Sequence, residues 1–137
     1  MKKEAELQKA CKDWFDNNTK FAKFKRERIE IVNGKPKKHI ISLLVASANG
    51  GSRDGREGKN LKKQGVRSGF PDLQLLIANE SKNGLFIELK QGTNKLTLNQ
   101  KIYFDLLIEN GYQVEEVRSF DQFRIIIERY LLFLSDK

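Results

Sequence analysis

The chain is poor in the residues that staple a fold or ligate a soft metal. It has one cysteine, Cys11, and one histidine, His39, in 137 residues. A single cysteine excludes an intramolecular disulfide, and one cysteine with one histidine leaves too few ligands for a zinc site. No apolar run approaches the ~18 residues of a membrane-spanning helix, so no membrane partner is expected. The opening residues, Met1-Lys2-Lys3-Glu4-Ala5-Glu6, lack the apolar stretch of a signal peptide. These absences predict an intracellular, cytoplasmic protein. There is no repeat, low-complexity tract or linker, so one domain is expected over residues 1–137.

Positive charge is what the chain has in excess. The formal net charge is +8 and the isoelectric point about 9.6. That balance favours a polyanionic partner, most simply nucleic acid. With 39% hydrophobic and 32% charged residues, the composition is that of a globular protein with a real core.

Periodicity predicts the elements. Residues 3–17 read as an amphipathic helix, with Leu7, Ala10, Cys11 and Trp14 at helical spacing. Residues 21–32 alternate in places, Asn33-Gly34-Lys35-Pro36 is a turn signal, and Ile40 to Ala46 is an apolar strand, so a basic-rimmed hairpin is expected. Asn49 to Gly55 reads as a glycine-rich loop, and residues 56–64 as a short polar helix stopped at Gly65. Strands follow at about 72–77 and 84–90. A helix over 97–110 is expected to turn Leu98, Ile102, Leu106 and Leu107 inward, ahead of a strand at 112–117 and an apolar helix at 120–134. The order α, hairpin, α, β, β, α, β, α predicts an α/β (α+β) fold: a central mixed β-sheet flanked by helices.

Two of these strands carry charge where a buried strand should have none. Gly69-Phe70-Pro71-Asp72-Leu73-Gln74-Leu75-Leu76 holds an Asp, and Leu85-Phe86-Ile87-Glu88-Leu89-Lys90 holds a Glu and a Lys two residues apart. Burying an unpaired charge costs several kcal/mol or more unless it is paired or metal-bound. Glu88 and Lys90 share a sheet face, and Asp72 reaches Glu88 if the strands are neighbours in register. Two such carboxylates repel unless a cation bridges them. Mg²⁺ or Mn²⁺ suits this oxygen set, with Asp72, Glu88 and the backbone carbonyl of Leu89 as ligands. The chemistry within reach is water activation for phosphodiester cleavage, with Lys90 positioning the water, helping to deprotonate it or stabilising the phosphorane. The competing reading is an Asp at a strand start and a Glu–Lys pair on a solvated strand face.

These residues resemble a known family. Gly65-Val66-Arg67-Ser68-Gly69-Phe70-Pro71-Asp72-Leu73, then Gly84 to Lys90, then Gln100, are similar to the VRR-NUC (virus-type replication-repair nuclease) domain of the PD-(D/E)XK superfamily, whose core is restriction-endonuclease-like. Asn49-Gly50-Gly51-Ser52-Arg53 resembles the loop that often precedes that core. The likeness covers nearly the whole chain and implies a stand-alone member of the kind phages encode. It implies Asp72 and Glu88 as metal ligands, Lys90 as the catalytic lysine, and a Glu on the first helix completing the acidic cluster. Glu4, with Gln8 after it, fits that position, and Glu6 is the alternative. Gln100 would hydrogen-bond into the site or to a phosphate.

Arg53, Arg56, Lys59, Lys62, Lys63 and Arg67 lie near the site in sequence and are the candidate phosphate contacts. Nothing resembles a base-reading helix, so recognition by DNA structure is expected over recognition by sequence. The resemblance implies a homodimer acting on branched DNA such as four-way junctions or flaps, with no small-molecule cofactor. The apolar C-terminal helix, with Phe133 and Leu134 near its end, is a candidate dimer face. The rival expectation is a nucleic-acid-binding module of the same fold without catalysis.

Overall fold

The computed structural model describes residues 2–47 and 61–134. The predicted loop at Asn49 to Gly55, and the candidate contacts Arg53, Arg56 and Lys59, lie outside the described residues. Helix α1 (Lys2–Asn17) opens the chain. A 3₁₀ segment at Thr19–Phe24 leads into strands β1 (Lys25–Val32) and β2 (Lys35–Ser42), followed by β3 (Leu44–Ala46), β4 (Leu73–Leu75) and β5 (Leu85–Leu89). Helix α2 (Leu98–Glu109), strand β6 (Gln113–Val117) and helix α3 (Phe120–Leu132) complete it.

Among the described residues, strands β1 and β2 pair only with each other, as an antiparallel hairpin. Asn33 and Gly34 both have positive φ, 51° and 76°, which two-residue hairpin turns require and which Asn-Gly supplies at little strain. The other four strands form one mixed sheet in the order β3-β4-β5-β6. The β3–β4 and β4–β5 pairs are antiparallel, whereas β5 and β6 run parallel through the crossover helix α2.

Alternation along β5 assigns its two faces. Leu85, Ile87 and Leu89 join Leu73, Leu75 and Val117 in the core. Leu7, Cys11 and Phe15 of α1, spaced by four, and Phe123, Ile127 and Tyr130 of α3 cover that face. Trp14 stands edge-on to Phe120 and Phe123 where the two helices meet. Phe86 points the other way, into an edge-to-face cluster with Phe70 and Tyr112, and Phe70 packs edge-on to Tyr103 of α2. Helices therefore lie on both faces of the sheet.

Three expectations are corrected. Residues 19–24 form 3₁₀ turns instead of starting a strand, because Asn18 caps them by accepting from the backbone of Lys20. The run Ile40 to Ala46 is interrupted at Leu43, so its first half pairs in the hairpin and its second half in the main sheet. Helix α2 does not turn Leu98, Ile102 and Leu106 inward; they are 72%, 48% and 49% exposed. Its partly buried side is Gln100, Tyr103, Phe104 and Leu107 instead. The aromatic contact of Tyr103 and a polar contact of Gln100 set that rotation.

Candidate active site

Local sequence brings the first acid into place. Buried Pro71 starts the segment, and the backbone carbonyl of Asp72 accepts a 2.9 Å hydrogen bond from Ser47 N–H beyond the end of β3. The Asp72 carboxylate accepts from the backbone N–H of Leu89 at 2.8 Å. A side-chain bond across two neighbouring strands thus places Asp72 next to the end of β5.

Glu88 and Lys90 are both buried, at 3% and 8% exposure. That excludes the solvated-face reading of the pair. Glu88 Oε2 accepts from Gln100 Nε2 at 3.1 Å, while Glu88 Oε1 is buried without a hydrogen-bond partner among the described residues. Burial first, then the charge of Asp72 and a carboxyl–carboxyl hydrogen bond to it, push Glu88 up to about 9. Lys90 opposes that rise and the charge of Glu4 adds to it. At neutral pH with no cation, Glu88 therefore holds a proton.

Gln100 is held for this contact. Thr97 caps α2, accepting from Gln100 N–H at 3.2 Å, and Gln100 Oε1 accepts from Thr97 N–H at 2.8 Å. This capping box occupies the amide oxygen and leaves the amide N–H₂ facing Glu88. Gly69 lets the two segments touch: a Cβ there would sit 2.7 Å from Asn99 backbone carbon, and φ is +86°. The loop entering Asp72 and the first turn of α2 are thus in backbone contact.

Glu4 also reaches this end of the sheet. Its Oε2 accepts from Gln91 N–H and from Asn94 Nδ2, both at 3.2 Å. Glu6 is exposed. Arg118, just past β6, donates to the carbonyls of Gly92 at 2.8 Å and Asn94 at 2.6 Å and pairs with Glu116. It clamps the loop that follows Lys90 and that Glu4 grips. Sequence reasoning missed Thr97, Asn94 and Arg118. The Thr97-x-x-Gln100 spacing was a readable signal for the first; the other two depend on β5–β6 register, which leaves no local mark. Lys62, Lys63 and Arg67 are exposed in the helical turn and loop before Gly69.

Asp72, Glu88 and Lys90 thus meet at one end of the sheet, with Gln100 on Glu88 and Glu4 close enough to act on its charge. The donors are hard oxygens, and buried Glu88 Oε1 has no hydrogen-bond partner among the described residues, so the residues fit a divalent cation that prefers oxygen. Among the described residues no group of three or more His, Cys, Asp or Glu side chains is gathered to hold a metal ion.

A mixed sheet between helices, with a half-buried Asp, a buried Glu and a buried Lys at one end, is a nuclease-type fold. The chain belongs to the VRR-NUC domain family, whose model matches residues 2–121. A solved structure described as a VRR_NUC domain protein superposes with a TM-score of 0.69 over 96% of this chain and 90% of its own, at 24% identity. That likeness bears on the fold. The comparison with curated proteins found no match. Nucleases of this superfamily generally use divalent metals and act on DNA. Among the described residues no helix is long and apolar enough to cross a membrane.

Proposed function

We propose that this chain is a single-domain, cytoplasmic, metal-dependent deoxyribonuclease. The observation that supports it best is buried Glu88, with an unpartnered oxygen, set against half-buried Asp72 and beside buried Lys90. A folded protein keeps such a cluster only if something offsets its desolvation. Asp72, Glu88 and the carbonyl of Leu89 would hold Mg²⁺ or Mn²⁺, leaving positions to water and phosphate as Mg²⁺ sites commonly do. When bound, the ion lowers the pKa of a water and offsets charge on the phosphate.

The chain's own groups do the rest. Lys90, on the same strand face as Glu88, presents its ammonium to the attacking water or to a phosphate oxygen. Gln100 fixes the Glu88 carboxylate through Oε2. Glu4 adds a second-tier carboxylate, and its hydrogen bonds to Gln91 and Asn94 favour it over exposed Glu6. Lys62, Lys63 and Arg67, with Arg53, Arg56 and Lys59, supply phosphate contacts. Branched DNA as substrate, and a homodimer to cut it, follow from the family resemblance. Exposed Leu132 at the end of the last helix and Phe133 just past it are compatible with a dimer face, whereas Leu134, also expected there, packs against the core.

The test is cleavage of labelled linear, nicked, flapped and four-way-junction DNA with Mg²⁺, with Mn²⁺ and with chelator. Metal-dependent cutting that Lys90→Ala reduces at least ~100-fold is expected. No cutting by folded wild type would move the reading to a binding module of the same fold.

A further inference from the structure

The β1–β2 hairpin is the part of the molecule that the nuclease reading leaves unused. None of its strand residues is buried. Its register sorts the side chains onto two different faces. One face pairs Arg26 with Ile41, Arg28 with His39, Glu30 with Lys37 and Val32 with Lys35. The other pairs Lys25 with Ser42, Glu27 with Ile40, Ile29 with Lys38 and Ile31 with Pro36. The first face thus carries four fixed cations and a histidine against one carboxylate. That carboxylate, Glu30, is taken up by His39 Nε2 at 2.8 Å and by Arg28 at 3.8 Å. Lys35 and Lys37 stand exposed towards the tip, beyond it. On the second face, Lys38 is matched by Glu27 at 2.9 Å, and Lys25 is turned into the body, donating to the carbonyls of Phe15, Asp16 and Asn18 at the end of α1.

The ribbon is anchored at the end of the main sheet away from the acidic pair. Leu43 N–H donates to Phe24, and its carbonyl accepts from Leu76. Asp72 lies against Ser47, four residues on along β3, about 13 Å away at strand spacing. Each arm of eight residues is long enough to extend about 26 Å. A two-stranded ribbon of this kind matches the width of a DNA major groove, and cations on one of its faces match the flanking phosphates.

We propose that the Arg26–Arg28–Lys35–Lys37 face of the hairpin is a second DNA-binding surface, which grips the phosphate backbone of a duplex arm away from the bond being cut. The proposal takes duplex DNA as the polyanion from the nuclease reading. It assigns the ribbon affinity without chemistry, so its loss weakens binding of duplex arms and leaves the acidic site intact.

The test is binding of a labelled duplex of about three helical turns in chelator, across a range of salt, beside single-turnover cleavage with Mg²⁺. The variant is Arg28→Ser/Lys35→Ser/Lys37→Ser; Arg26 is kept because it also donates to the Lys23 and Lys25 carbonyls. Its log K against log salt should be shallower by about 2 to 3, with affinity at least tenfold weaker at moderate salt. Lys38→Ser, on the opposite face, should change the slope by less than half as much as any one of the three. If the triple variant binds with the wild-type slope while circular dichroism shows it folded, the ribbon proposal is overturned whatever the cleavage result. If the slope falls but wild type cuts nothing with either metal, the ribbon stands and the nuclease reading fails. A slope loss for Lys38→Ser of a third or more of the triple variant's loss, the share of one charge in three, would mark general charge in place of a face and would also overturn it. A tip variant, Lys35→Glu/Lys37→Glu, should weaken binding further and provides an independent reading in case the triple variant is misfolded.

Discussion

Strands β1 and β5 both mix charge with branched apolar residues, yet their fates are opposite. In β5 every residue is buried, including Glu88, and Lys90 follows it into the interior. In β1, apart from Lys25 and Glu30, charges and isoleucines alike face water, with Ile29 58% and Ile31 67% exposed. The difference is neighbours. β5 has a strand on each side and helices over both faces, whereas β1 has one partner strand. Charge inside β5 is costly and must have a use, while charge on β1 costs nearly nothing and is informative only as a pattern over one face.

The comparison breaks first at the site. Glu88→Gln and Asp72→Asn should each lower metal-dependent cleavage by about 10³-fold or more, which rapid-quench assays would measure. Lys38→Ser should leave the rate within about twofold in the same assay, because the Lys38–Glu27 pair lies at the surface. Equal losses would mean that burial does not distinguish the two strands.

The next largest effect is in packing. Ile87→Ala in β5 should cost about 2–5 kcal/mol in denaturant unfolding, since it opens a cavity at 0% exposure. Ile31→Ala in β1 should fall within about 0.5 kcal/mol. Gly69→Ala, which drives a Cβ into α2, should lower activity more than stability by shifting Gln100 away from Glu88; similar values for both would remove Gln100 from the site.

A smaller effect tests β5 through pH. Glu88 has its folded-state pKa raised to about 9 by burial and by Asp72. The native state therefore binds a proton that the unfolded state has released, so stability of the metal-free protein falls as pH rises from about 5 to 9. Thermal melts of wild type should fall over that window, and Glu88→Gln should flatten the curve. Saturating Mg²⁺ should restore the loss by holding the ionised pair. The smallest effect concerns association: light scattering should detect a dimer, and a monomer at high concentration would remove the paired-site model for junctions.

Much of this was legible along the chain, and the reasons are local. The Asn33-Gly34 turn, the α1 stripe through Leu7, Cys11 and Trp14, and the apolar α3 face each follow from spacing of a few residues, although Ala10, expected on that stripe, is exposed. The Asp72 and Glu88-x-Lys90 pair stood out because ionisable side chains interrupt apolar runs. The inward face of α2 was not legible. Its apolar residues Leu98, Ile102 and Leu106 suggested one rotation, and the contacts of Gln100 and Tyr103 selected another. A mixed helix with no dominant apolar face is oriented by what it meets.

Sequence alone singled out the side chains proposed for chemistry here and most of the segments that form helices and strands, because residue type, periodicity and turn preference act over short distances. Tertiary structure decided that Asp72 bonds to the strand carrying Glu88, that Glu4 and Arg118 meet the loop after Lys90, and that the hairpin stands apart with its cations on one face. Those outcomes depend on strand register and on burial from both sides, which arise only when distant segments pack together.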